Sequence, residues 1–124
     1  MKTGLTKIQD SAVHERGVFA AKDFEKEETI EECSYILLDS WKLVPPLKKY
    51  CHLVIEDGKP FPALVSGHGM FYNHSFNPNV TRSYCVQTRT FTFKAAKPIQ
   101  QGEELFIDYG KKYQYKKFIN GGPE

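Results

Sequence analysis

No run in this sequence is long and apolar enough to span a membrane, and the opening MKTGLTKIQD is too polar for a signal peptide. Cysteine is scarce. Cys33, Cys51 and Cys85 are odd in number, far apart and outside any Cys-x-x-Cys pair, which argues against a disulfide framework and against a structural zinc site. Strong net charge is missing as well. A balance of +2 gives no global pull toward nucleic acid or an anionic membrane. Internal repeats and low-complexity linkers are absent, and the helical period is weak throughout. These absences read as a soluble, intracellular protein that acts on neither nucleic acid nor membrane.

What is present is a single domain rich in aromatics. At 124 residues a core forms without metal or disulfide staples. Nine Phe and seven Tyr favour strands over helices. Strand-like runs begin at Leu5 (LTKIQ), Thr29 (TIEECSYILLD), Tyr50 (YCHLVIE), Val80 (VTRSYCV), Thr90 (TFTFKAA) and Glu104 (ELFID). Phe91 and Phe93 alternate with threonines, which places both rings on one sheet face. VQTRT reads as a short hairpin connection and KPIQQGEEL as a turn before the last strand. EDGKPFPALVSGHG reads as turns around a short strand. Pro45 and Pro46 forbid a helix interior, so at most a short helix covers Leu47 to Tyr50. The expected class is mostly β, with many short strands and little helix.

Charge is unevenly placed. Five of the eight residues in 25–32 are glutamates, and KKYQYKK carries four lysines near the end. A solvated face and a basic tail account for both. An acidic surface for a basic partner, with a tail that folds over it, accounts for them too.

Three stretches carry chemistry. HERGVFA places Gly17 before Val18 and Phe19, which reads as a turn entering a strand, or as a point where the backbone approaches a ligand. FYNHSFNPNV sets Asn73, His74, Asn77 and Asn79 among aromatic rings. Asn77-Pro78-Asn79 is a turn signal, while Asn73 and His74 are read either as satisfied core groups or as contacts to a small polar ligand. GEELFIDYG runs through a turn at Gly102 and a strand to Asp108, Tyr109 and Gly110. A tyrosine at a strand end is usually packing.

In order and together these stretches resemble the SET-domain family. The resemblance rests on Gly17-Val18-Phe19-Ala20, on Asn73-His74-Ser75 with Pro78-Asn79, and on Gly102-Glu103-Glu104-Leu105 leading to Asp108-Tyr109-Gly110. It covers residues 16–110, and the size is closest to the small free-standing viral-type members. The resemblance implies small curved β-sheets in a β-clip-like arrangement, with a knot-like crossing of the middle and last motifs. It implies a protein-lysine N-methyltransferase that uses S-adenosylmethionine. Glu15, Arg16, Gly17, Asn73, His74 and Tyr109 would hold the cofactor, and Tyr109 would be catalytic. Tyr72, Ile107, Tyr113 and Tyr115 would wall the lysine channel, closed by the segment after residue 110.

Departures from the family pattern are specific. Glu15 stands where relatives usually have glycine, Met70 where an arginine often precedes the middle motif, and Phe76 where a zinc-binding cysteine often follows it. No metal is therefore expected. Ile107 replaces a phenylalanine that limits methylation in some relatives, which points to more than one methyl group. The substrate implied is a protein with a target lysine, of basic, histone-like character, which would place the enzyme on chromatin in a nucleus. A homodimer through exposed strands is compatible with the pattern. The alternative reading is an inactive SET fold that binds peptide.

Overall fold

The computed structural model describes residues 4–13, 15–39, 42 and 50–108. These form nine strands and one 3-10 turn, in two sheets. The strands are β1 (Thr6–Asp10), β2 (Arg16–Ala20), β3 (Thr29–Leu37), β4 (His52–Glu56), β5 (Lys59–Val65), β6 (Asn73–His74), β7 (Val80–Cys85), β8 (Thr90–Ala95) and β9 (Glu104–Ile107), with the 3-10 turn at Gly69–Phe71. The mostly-β expectation holds, and the six strand-like runs correspond to β1, β3, β4, β7, β8 and β9.

One sheet has the order β1-β2-β9-β6 and the other β4-β5-β3-β8-β7. In β8 the alternation of TFTFKA buries Phe91, Phe93 and Ala95 against β3 and β7. These side chains join Val18, Ile30, Tyr72, Val80, Ile99, Leu105 and Ile107 in one continuous core. Burial of this kind stabilises by roughly 25 cal/mol per Å² of apolar surface. The second sheet curls until its two edge strands meet through side chains. The Tyr84 hydroxyl of β7 accepts the Ile55 N–H of β4 at 3.1 Å, and Arg89 pairs with Glu56 at 3.3 Å. The contact gives one N–H of the β4 edge a partner.

The stretch read as turns around a short strand is a tight hairpin with a seven-residue strand. Glu56 pairs with Lys59 across a two-residue turn, where Asp57 and Gly58 have φ of 52° and 75°. Both values are positive, as a type I′ turn requires, and Asp-Gly is its preferred sequence. Two prolines disguise β5. Hydrogen-bonded pairs alternate along an antiparallel ladder, so Pro60 and Pro62 fall where an N–H would point away from β4. On that other side β3 pairs only with Ala63, Leu64 and Val65, so no ladder bond is lost.

Residues 47–49 of the short helix expected to end at Tyr50 and the basic segment after residue 110 lie outside the described residues, as do Tyr109, Tyr113 and Tyr115. No helix among the described residues is long and apolar enough to cross a membrane. Cys33 and Cys51 are buried, Cys85 is exposed, and all three are free thiols.

Candidate functional site

The three motif stretches converge in the four-stranded sheet. β9 lies between β2 and β6, antiparallel to the first and parallel to the second. Asn73 stands opposite Phe106, and His74 opposite Ile107. Two residues of β6 are too few for a sequence pattern. The pairing is fixed instead by what flanks it: the Ser75 N–H donates to the Ile107 carbonyl at 3.0 Å.

Asn79 holds β9 from the side. Its Nδ2 donates to the Glu104 carbonyl at 2.9 Å, and its Oδ1 accepts the Phe106 N–H at 2.8 Å. The side-chain amide thus supplies the donor and acceptor that a neighbouring strand would supply. Sequence reasoning gave Asn79 only a turn-shaping part. No local signal distinguishes a turn asparagine from one that reaches a strand 25 residues away.

Gly17 is inside β2, not at a turn, and its φ is ordinary. A Cβ built there would sit far inside contact distance of Glu104 Oε2 and 2.9 Å from Asn73 Nδ2. Glycine is therefore needed for close approach, by a side chain of the same protein. Asn73 is buried, and its Nδ2 donates to the Arg16 carbonyl at 3.0 Å and to Glu104 Oε2 at 2.8 Å. The first, second and third motifs are joined by these two bonds.

Glu15 has φ of 24°, on the positive side that glycine adopts freely and other residues avoid. A non-glycine residue in this conformation carries some backbone strain. The Ser11 N–H donates to the Glu15 carbonyl at 3.1 Å and closes the β1–β2 loop.

A cavity of about 670 Å³ opens beside these groups. Glu15, Arg16, Asn73 and His74, all expected at a cofactor site, line it together with Tyr72. Asp10, Val13, Tyr50 and Phe71 complete most of the wall and were not anticipated. Tyr72 does not present its hydroxyl to solvent. Its ring stacks on Phe93 at 4.5 Å, and its hydroxyl donates to Glu31 at 2.7 Å. Burial, with Glu31 beside it, pushes the Tyr72 hydroxyl well above the usual phenol range. The hydroxyl stays protonated. Ile107 is fully buried in the core beneath the site. His74 packs edge-on to the exposed ring of Phe76 at 4.5 Å and lies 3.9 Å from Asp108.

His52, another residue sequence reasoning passed over, sets the approach to the middle motif. Its Nε2–H donates to the Gly69 carbonyl of the 3-10 turn at 2.8 Å, and its Nδ1 accepts from Arg82. Burial first, then the Arg82 charge, lower its pKa to about 3, with the Gly69 bond working in the opposite direction. The ring is neutral and anchors the turn that leads into Tyr72, Asn73 and His74.

The five glutamates of residues 25–32 do not form one open surface. Glu28 accepts from Lys22 and from the Glu25 N–H, and Glu31 accepts from Tyr72, while Glu25, Glu27 and Glu32 are exposed.

Comparisons with known proteins agree with this geometry. The SET domain family model matches residues 15–110. No curated protein matches the chain by sequence. Among solved structures, a Plasmodium falciparum protein provisionally assigned as a histone methyltransferase is similar at TM-score 0.74 and 25% identity, over 90% of this chain and 98% of that one. CpSET8 from Cryptosporidium is similar at TM-score 0.66 and 24% identity, over 86% of this chain and 57% of that one. The methyltransferase domain of human PR domain-containing protein 2 shares the fold at TM-score 0.63 and 18% identity, over 86% and 77% of the two chains. The family match covers most of the chain, so the chain belongs to the SET-domain family.

Proposed function

We propose that the chain is an S-adenosylmethionine-dependent protein-lysine N-methyltransferase. The observation that carries this reading is a cavity lined by Glu15, Arg16, Asn73 and His74 of the first two motif segments, with Asn73 bonded to Glu104 of the third. The lining suits the cofactor in kind. Rings of Tyr50, Phe71 and Tyr72 offer apolar wall to a purine, and Asp10 and Glu15 supply negative charge for a cationic ligand. Arg16, Asn73 and His74 supply polar groups to fix its orientation. The bound cofactor would contribute an electrophilic methyl group on a sulfonium.

The chain's own part is orientation and electrostatics. A lysine amine attacks only when neutral, although its free pKa is about 10.4. A dry aromatic channel favours the neutral form, so no strong general base is required. Tyr109 is the group proposed to orient the amine, with Tyr113 and Tyr115 as aromatic channel wall. The aliphatic Ile107, two residues before Tyr109, leaves room for more than one methyl group.

The substrate proposed is a basic, histone-like protein, met by the exposed Glu25, Glu27 and Glu32. On that reading the protein works on chromatin. Incubation with labelled S-adenosylmethionine and lysine-rich proteins tests the activity. Transfer by wild type that is lost in Tyr109→Phe supports it. Equal inertness of both rejects it.

A further inference from the structure

The Glu104 carboxylate is bonded to groups on two sides of the cavity, yet it is not on the cavity wall. It accepts from the Ser11 hydroxyl, 2.8 Å from Oε1 and 2.9 Å from Oε2, and from Asn73 Nδ2 at 2.8 Å. The Ser11 hydroxyl in turn accepts the Val13 N–H at 3.0 Å. The Asn73 Nδ2 also donates to the Arg16 carbonyl. One carboxylate therefore ties the β1–β2 loop to β6 and β9. Val13, Glu15, Arg16 and Asn73 of the cavity wall all belong to the segments it ties.

Ser11 and Asn73 both donate to the carboxylate, and Gly17 leaves the space that lets it sit against β2. A neutral amide at this position would lose the charge that strengthens both bonds, and would present an N–H where Oε1 now accepts from Ser11. In the same loop the Ser11 N–H donates to the Glu15 carbonyl, and the side chains of Val13 and Glu15 are exposed.

We propose that Glu104 and Ser11 are positioning residues, a latch that fixes the loop wall of the cavity and thereby sets cofactor affinity. The affinity part rests on the function proposed above; the loop part does not. Two readouts keep them separate. Hydrogen exchange at the Val13 amide reports the latch in the free protein, and calorimetry with S-adenosylmethionine reports affinity.

Glu104→Gln and Ser11→Ala should each speed Val13 exchange and weaken cofactor binding by about ten- to hundred-fold, the scale of one lost charge-assisted hydrogen bond. Ser11→Thr, which keeps the hydroxyl, should behave as wild type. Because Ser11 acts through Glu104, the double variant should be scarcely worse than Glu104→Gln alone. If Glu104→Gln does not fold, the Ser11 pair carries the test, since Ser11 is on the surface loop. Unchanged Val13 exchange in Ser11→Ala would overturn the latch. Faster exchange with unchanged affinity would overturn its link to the cofactor. A wild type that binds no cofactor, with the exchange pattern as expected, would reject the function and leave the latch as a loop anchor.

Discussion

Replacing Asn79 by alanine isolates the support of β9. The substitution removes a donor from the Glu104 carbonyl and an acceptor from the Phe106 N–H. Both are backbone groups of a strand inside the sheet, and Asn79 itself is only 8% exposed. A buried polar group left without a partner costs about 1–3 kcal/mol, so the pair should cost about 2–6 kcal/mol. For a chain of this size each kcal/mol lowers Tm by about 4 °C, which gives a fall of roughly 8–24 °C. Urea unfolding followed by fluorescence measures the free energy, with Asn77→Ala as the control. Asn77 is exposed beside the same turn and should change stability by less than about 0.5 kcal/mol. The Asn79→Asp variant adds a sign. It keeps the acceptor for Phe106 but turns a carboxylate oxygen toward the Glu104 carbonyl, so its deficit should shrink as acid protonates it. If Asn79→Ala matched the control, the account of β9 as a strand held by a side-chain amide would fail.

Glu15→Gly should relieve the positive φ and leave stability equal or higher by up to about 1 kcal/mol in the same urea assay; a clear loss would show that the Glu15 side chain matters more than its backbone. His52 adds a pH dependence of known sign. Its folded pKa is near 3 and its unfolded value near 6.5, so the unfolded chain binds the extra proton and stability drops as pH falls below 6.5. The His52 contribution is flat above that pH and costs about 2 kcal/mol by pH 5, and His52→Gln should flatten this part of the curve. Thiol chemistry should be selective. Burial pushes Cys33 up to about 12 and Cys51 to about 11, while hydrogen bonds from Thr88 lower exposed Cys85, so native-state alkylation followed by peptide mapping should find Cys85 modified first.

Sequence reasoning reached the strands that alternate and the residues that sit in motifs. TFTFKA announces β8 because every second residue is apolar and buried. β5 was read only as a short strand among turns because two prolines mask a strand whose N–H groups at those positions are not needed. The Asp-Gly turn ahead of it was the available signal. β6 is two residues long and owes its pairing to Asn79, Ser75 and β9, all distant or non-periodic. The site shows the same division. Glu15, Arg16, Asn73 and His74 were legible through their motifs, and they do meet at one cavity. Glu104 lay inside a motif, but its part depends on Ser11 and Gly17, 93 and 87 residues away, a relation no local pattern encodes. His52 and Tyr72 look alike in sequence, polar rings in strand-like surroundings. Only packing shows that one anchors the 3-10 turn and the other is held against Phe93 and Glu31.

Mass spectrometry of a basic, lysine-rich protein after incubation with S-adenosylmethionine tests the central claim most directly. The account predicts lysine residues carrying one or more added methyl groups with wild type, more than one on some of them because Ile107 is aliphatic, and none with Tyr109→Phe. Cofactor binding by wild type with no methyl transfer to any lysine-bearing substrate would contradict it, and would leave a SET fold that binds without catalysing.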